Sequence, residues 1–319
     1  LTSWPLKKKD NEIINNKMNK KFLNYTDWQG TADTLHMYLQ MLGKVKLMRC
    51  HQRPEWAHVR LYLTVEGVST GIIPGDDSPF EIQANFMKHL VIFRNGNGKM
   101  VTFTLQDGLP VMEFYKQFMK GLEEIGSPTA INVRAQEFYD PIDFDKDTKH
   151  HHYDKEAVQL WHQNHLFAHE ALRGFLSGFR GKVDGPAYYF GTMDLTGIVY
   201  SGESAPFGMN KPISDHAFDE RYFECGFWPG DVNYPRPAFY GLPYPFISDI
   251  KGNDHLIRPA MAIFKPEKKE FFLTLEDALA YDDPFDAVHQ FLQSSFDIMQ
   301  KVRPWQYLDW ITTPLTYTK

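Results

Sequence analysis

"VIFRNGNGKMVTFTL" (residues 91–105) reads as two strands around a tight turn, with Asn-Gly-Asn-Gly at 95–98 supplying the residues that tolerate positive φ. The chain writes nearly the same thing again in "AIFKPEKKEFFLTL" (262–275). In both, an apolar run ends at a phenylalanine, Phe93 or Phe264, and a basic, turn-prone patch follows. Each then closes on Thr-Leu, at Thr104-Leu105 and Thr274-Leu275. The recurrence predicts one module used twice.

The flanking sequence extends the parallel. "TADTLHMYLQMLGKVKL" (31–47) offers Asp33 or Thr34 as a cap and places Leu35, Tyr38, Leu39 and Leu42 at helical spacing before Gly43. "HLFAHEALRGFLSGFRGKV" (165–183) does the same with Ala168, Leu172, Phe175 and Phe179 before Gly181. Both helices are expected to end at Gly-Lys, Gly43-Lys44 and Gly181-Lys182. Strand-like runs follow at 58–67 and 187–197, each carrying a Thr two residues before an acid, and then a Phe-Glu pair, Phe80-Glu81 and Phe223-Glu224. Each copy finishes in an amphipathic helix, at 110–126 and 283–302, the second with Asp283 as cap and Pro284 at the first helical position. The fold class that follows is α+β: a helix–antiparallel sheet–helix module in tandem duplication, the copies in a pseudo-two-fold arrangement.

The expected organisation is a basic polar arm (1–27), a first module (28–136), an acidic linker (137–156), a second module (157–303) and a C-terminal tail (304–319). The second module carries an aromatic, proline-rich insertion at 207–258, read as a loop that lids a site or patches a sheet edge. Hydrophobic residues at 43% and charged residues at 23% fit a soluble globular chain. A net charge of −6 supplies no basic field, so nucleic acid is not an expected partner. No run approaches the ~18 apolar residues of a membrane span, and no signal-peptide core is seen. Cys50 and Cys225 show no metal spacing and read as reduced, buried thiols. Together these predict a cytoplasmic protein without membrane contact, of open oligomeric state.

"TLHMYLQMLGK" (34–44), "HVRLYLT" (58–64), "DPIDF" (140–144), "SGESAP" (201–206), "CGFWPG" (225–230), "PAFY" (237–240) and "FLQSSF" (291–296) together resemble a bacterial family defined only as a domain of unknown function. The likeness spans about residues 28–300, and "CGFWPG" is its most specific piece. The resemblance implies candidate positions and no activity. Two positions depart from the family pattern: Tyr188 stands where it has His, next to a missing Trp, and Glu203 stands where it has Arg.

Three functional readings follow. The first is binding or turnover of a small polar molecule in an aromatic pocket between the repeats. Repeat-related pairs, Lys44 with Lys182, Glu66 with Asp194 and Glu81 with Glu224, would share that cleft. Lysines position an anionic or carbonyl group, and carboxylates in a dry cleft act as general acid or base. His58, Asp194 and Glu224 are the catalytic candidates, with His36 as a further proton carrier and Tyr188 and Trp228 as walls. The competing reading of these charges is salt bridges that close each sheet against its helix. The second reading is a divalent transition metal on His162, His165 and His169, which lie within roughly 60° of one another on a helix from about 154 to 180. The third is a non-catalytic interaction protein, with 227–246 as an exposed apolar surface. Asp143, Asp145 and Asp147 alternate like a calcium loop, but Thr148 replaces the required Gly, so the stretch reads as linker. "GNGK" (96–99) lacks the spacing of a phosphate cradle, and "SGESAP" is no nucleophile elbow.

Overall fold

The computed structural model describes residues 22–314, so most of the expected basic arm and the last five residues of the expected tail lie outside the described residues. Helix α1 runs Tyr25–Arg49. It begins eight residues before the expected cap, where the Asp27 carboxylate accepts from the Asn24 N–H at 3.0 Å. Asp33 and Thr34 therefore sit inside the helix. Thr34 Oγ1 donates to the Gly30 carbonyl at 2.8 Å, the usual way a helix interior absorbs a threonine. Every residue from Thr31 to Lys46 is buried, so this central stretch of α1 is enclosed on all sides.

Gly43 does not end this helix either. A Cβ built there would meet Phe190 Cδ1 at 1.9 Å and Cγ at 2.4 Å, so the glycine exists to admit a ring from the other half of the chain. Two effects oppose each other in Gly43→Ala. Helix propensity favours alanine by ~1 kcal/mol, while forcing a buried ring aside costs ~1–3 kcal/mol. We expect a net loss of up to about 2 kcal/mol in urea unfolding, and a raised midpoint would show that the ring is free to move.

A five-stranded antiparallel meander follows: β1 (Tyr62–Thr64), β2 (Gly67–Ser69), β3 (Phe80–Asn85), β4 (Leu90–Asn95) and β5 (Met100–Thr104). Helix α2 (Val111–Glu124) closes the first half. The second half opens with α3 (Lys155–Leu176), capped by the Asp154 carboxylate, which accepts from the N–H groups of Glu156 and Ala157. Its strands are β6 (Val183–Tyr189), β7 (Asp194–Ser204), β8 (Glu220–Trp228), β9 (Ala238–Tyr244), β10 (Ile263–Lys265) and β11 (Glu270–Thr274), with the short helix α4 (Pro212–Ala217) between β7 and β8. They form an antiparallel sheet ordered β10-β11-β9-β8-β7-β6. After the short α5 (Leu275–Leu279) comes α6 (Pro284–Val302), with Asp283 as cap and Pro284 first in the helix, as expected. A last turn, α7, spans Leu308–Ile311. The protein is α+β, with helix, antiparallel sheet and helix in each half.

The two hairpins exist, but they dock oppositely. In the first half β4 lies beside β3 and β5 is the edge; in the second β11 lies beside β9 and β10 is the edge. The ladder position of β4 is thus taken by β9, a strand inside the stretch expected to be a loop. That expectation failed because the prolines at 229, 235 and 237 lie between β8 and β9, where they separate strands, and Pro243 lies in β9 beyond its pairing with β11, where that side of the strand is an edge. The rungs run Tyr62–Ser69–Gln83–Ile92–Thr102 in one sheet and Ala187–Thr196–Gly226–Tyr240–Phe272 in the other. Thr104 and Thr274 each lie two residues beyond the end of these rungs, so the Thr-Leu endings do occupy matching places. The halves differ in that β7 spans 11 residues against 3 in β2, and β10 has no counterpart among the described residues of the first half.

The sheets meet at β1 and β6. Leu61 and Tyr188 exchange both backbone hydrogen bonds, at 2.9 and 2.8 Å, in an antiparallel bridge. One hydrophobic core runs through both halves, from Leu35 and Leu39 of α1 to Phe291 and Leu292 of α6. No helix among the described residues is long and apolar enough to cross a membrane.

Candidate functional site: a carboxylate-lined cavity

Side chains alternate across a strand, and in β8 Phe223, Cys225 and Phe227 point into the core beneath α3. Glu224, Gly226 and Trp228 therefore face the other way, as do Asp194 and Thr196 of β7, Tyr240 of β9, and Glu270 and Phe272 of β11. A cavity of about 320 Å³ opens on that face. Its opposite wall comes from the first half and the linker: Tyr25, Ala32, Asp33 and His36 of α1, with Glu137, Phe138 and Tyr139. Its volume falls at the lower end of what small-molecule sites occupy.

Gly226, in the most distinctive motif of the chain, shapes the floor. A Cβ there would meet Tyr240 Cζ at 2.3 Å, so only glycine lets the Tyr240 ring lie across β8. The phenol is thereby placed between two carboxyls: Tyr240 Oη lies 2.8 Å from Asp194 Oδ2, 3.0 Å from Glu224 Oε1 and 2.8 Å from Thr196 Oγ1. The two carboxyls can be no farther apart than those two hydrogen bonds laid end to end. One phenolic proton cannot serve both, so a second proton on the pair is favoured. Asp194 also accepts from Thr192 Oγ1 and, at 3.3 Å, from Thr196 Oγ1, whereas among the described residues Glu224 accepts from Tyr240 alone.

Burial sets the proton affinities here. It pushes the Glu224 carboxyl up to about 8, with the Asp194 charge adding to the rise. Burial likewise takes Glu270 to about 7, Lys268 pulling down and Asp194 pushing up. Asp194 itself is raised by burial, against its hydrogen bonds from Thr192, Tyr240 and Thr196. Glu137 is raised by burial and then by Asp194. Asp33 is raised by burial although the phenols of Tyr25 and Tyr139 both donate to it. His36 goes the other way, down to about 4, because burial disfavours its cation. Its Nε2 lies 2.9 Å from the Phe190 carbonyl and 3.0 Å from that of Gly191, so it is a neutral tie between the halves.

Of the residues singled out from the sequence, the cavity brings together Asp194, Glu224, Trp228 and His36. The lysine pair does not join them. Lys182 Nζ is held by Glu55 at 2.6 Å and Glu220 at 3.0 Å and lies 3.8 Å from the centre of the Tyr200 ring. Lys44 is buried on α1 with its ammonium 5.9 Å from the centre of the Phe144 ring, and burial lowers it to about 8. Lys44 continues a helix that was expected to stop, which carries it about 16 Å along α1 from the cavity-lining Asp33, and it does not line the cavity. Glu81 accepts from Ser69 Oγ at 2.5 Å, and Glu66 from Asn85 Nδ2 at 2.8 Å. His58 Nδ1 accepts the Arg53 N–H at 3.2 Å beside Trp56, away from the cavity. Tyr188 is fully buried on the core side, edge-on to Trp161 and His165.

Of the three helical histidines, His162 and His165 are buried and held by backbone carbonyls, while His169 is half-buried on the same helix. His162 Nε2 donates to the Thr64 carbonyl at 2.9 Å and His165 Nδ1 to that of Trp161 at 2.9 Å, while burial lowers His165 to about 3. Among the described residues no three His, Cys, Asp or Glu side chains are arranged to hold a metal ion. The segment 227–246 is not an apolar surface either: of its large hydrophobics among the described residues only Val232 is exposed, because Phe227, Phe239, Tyr240 and Tyr244 are buried. The reversed charge at Glu203 is absorbed locally by Arg221 at 2.8 Å.

Sequence reasoning passed over Tyr240, Glu270, Glu137 and Asp33. The available signal was strand parity. Residues 224, 226 and 228 share a face once β8 is recognised, and the Tyr of "PAFY" lies one strand over. No curated protein and no solved structure matches the chain. A family of unknown function (DUF5996) has a sequence model that matches residues 21–309, and the chain belongs to that family.

Proposed function

We propose that this protein binds a small polar organic molecule in the cavity between α1 and the outer face of the second sheet, with Asp194 and Glu224 as its contact groups. The observation that supports this reading is the Tyr240 hydroxyl set between two half-buried carboxyls on the floor of a 320 Å³ cavity with aromatic walls. Such an arrangement is costly to folding, and costly polar arrangements concentrate where ligands bind. The same pair has the means for turnover. Glu224 holds its proton near neutrality and can donate it, and Asp194 can accept one.

The test is a ligand-observed NMR screen with a fragment mixture spanning cations, anions and neutral polyols, run on wild type, Trp228→Ala and Tyr240→Phe. We expect bound fragments in wild type, loss of them in Trp228→Ala, and about tenfold weaker binding in Tyr240→Phe, which removes one shared hydrogen bond. Fragments that bind all three proteins alike, or none binding wild type, would overturn the proposal.

A further inference from the structure

The cavity wall is one-sided in charge. Asp33, Glu137, Asp194, Glu224, Asp231 and Glu270 line it, against Lys268 alone among lysines and arginines. Asp33 is satisfied by two phenols, but Glu224 Oε2 has no partner among the described residues, and neither carboxyl oxygen of Glu270 does. The aromatic wall already takes ammonium groups from the protein itself. Lys268 Nζ stands 5.6 Å from the Trp228 ring centre and 5.9 Å from that of Phe272. Lys265 Nζ stands 5.1 Å from Phe272 and 4.1 Å from Tyr234. Trp228 and Phe272 are thus rings whose π-faces suit an alkylammonium.

Resting on the small-molecule reading above, we propose that the ligand is an organic ammonium ion, its charge held by Asp194, Glu224 and Glu270 and its carbon chain laid along Trp228 and Phe272. Where these carboxyls are ionised an anionic ligand would meet like charge, a mismatch costing several kcal/mol. Near neutrality Glu224 still holds its proton and Glu270 titrates, so a cation binds by displacing protons. The charged and titratable groups that face them are Asp194 on β7, Tyr240 on β9, Lys265 on β10, Lys268 on the β10–β11 turn, Glu137 on the linker, and Arg60 beyond β6. His36 stays neutral, and Asp33 is screened by its phenols. Affinity for a cation then rises with pH from about 6.5 to about 8.5, the opposite slope to that for a carboxylate ligand.

The experiment is isothermal titration of the full chain with n-pentylamine, n-pentanoate and n-pentanol, each at about pH 6.5 and about pH 8.5 and in two buffers of different ionisation enthalpy. We expect the amine to bind at least about tenfold tighter than the other two, with proton release and an affinity gain of about tenfold across that pH range. Glu224→Gln and Glu270→Gln, each keeping shape and fold by circular dichroism, should weaken the amine about tenfold and reduce the proton release. Tighter binding of pentanoate or pentanol would overturn the cation assignment while leaving the cavity a ligand site. Failure of all three, alongside hits in the fragment screen, would also overturn it. Amine binding unchanged in both variants would place the amine elsewhere and overturn it as well.

Discussion

Glu224→Gln is expected to stabilise the protein by ~2–4 kcal/mol above about pH 8.5 and to leave it unchanged below about pH 4.5. The ordinary glutamate value is 4.5 and the folded one about 8, raised first by burial and then by Asp194. Between those values the folded chain holds a proton that the unfolded chain has released, so unfolding expels a proton and stability falls as pH rises. The contribution is fully present below the unfolded value and lost once pH passes the folded one. A shift of this size corresponds to up to ~5 kcal/mol, and water reaching the carboxyl through the cavity reduces it. Glutamine keeps the shape and the acceptor for Tyr240 without the charge, so it removes the alkaline loss and little else. Thermal unfolding of both proteins across that pH range should show curves that coincide in acid and part by roughly 5 °C in alkali. A constant offset at every pH, or a less stable variant at pH ~9, would mean that Glu224 is ionised and hydrated in the folded state.

At the junction of the sheets, Asp184→Asn should cost about 3 kcal/mol and Arg60→Met only about 1–2 kcal/mol, although they remove the same ion pair. The Arg60 side chain is 4% exposed and that of Asp184 29%. Arg60 gives Nη1 to Asp184 and Nε to Tyr189 Oη at 2.5 Å, and its Nη2 has no partner among the described residues. With asparagine at 184 the guanidinium remains buried with only neutral acceptors, the amide oxygen and the Tyr189 phenol, and no countercharge. Without Arg60, Asp184 keeps the Gly185 N–H at 2.8 Å and is reached by water. The neighbourhood is already short of compensation, since Lys46 donates to the Arg60 and Thr70 carbonyls and burial lowers it to about 8. Urea unfolding of both single variants and the double variant measures the asymmetry and the coupling. Equal costs would show that Arg60 is hydrated, and a smaller cost for Asp184→Asn would show that the pair does not hold the junction.

Local physics was legible in the chain. Asn95 and Gly98 make the β4–β5 turn whatever surrounds it: Asn95 Oδ1 accepts from the Asn97 and Lys99 N–H groups, and Gly98 takes φ +83°. Asp283 and Pro284 start α6 for the same kind of reason, a side chain satisfying backbone donors within its own turn. The α+β class and the matching Thr-Leu strand ends rest on such neighbours. Which edge of a hairpin docks is different, because both edges present the same row of N–H and C=O groups. Only the strand already waiting, β3 or β9, chooses between them. The Gly43 position was likewise unreadable, since a glycine that ends a helix and one that admits a distant ring look alike in sequence.

The cavity divides along the same line. Asp194, Glu224 and Trp228 could be singled out from the chain alone because acids and large aromatics in strand-like runs are conspicuous by type. Their partners could not. Tyr240 reaches them across a gap that only Gly226 leaves open, and Glu137 and Asp33 arrive from the linker and from α1. Lys44 and Lys182 carried equal promise and were claimed by burial and by Glu55. Residue type and local hydrogen bonding are written in a few consecutive positions. Desolvation, which gives these carboxyls their protons, depends on which distant segments exclude the water, and that was decided only when the chain closed on itself.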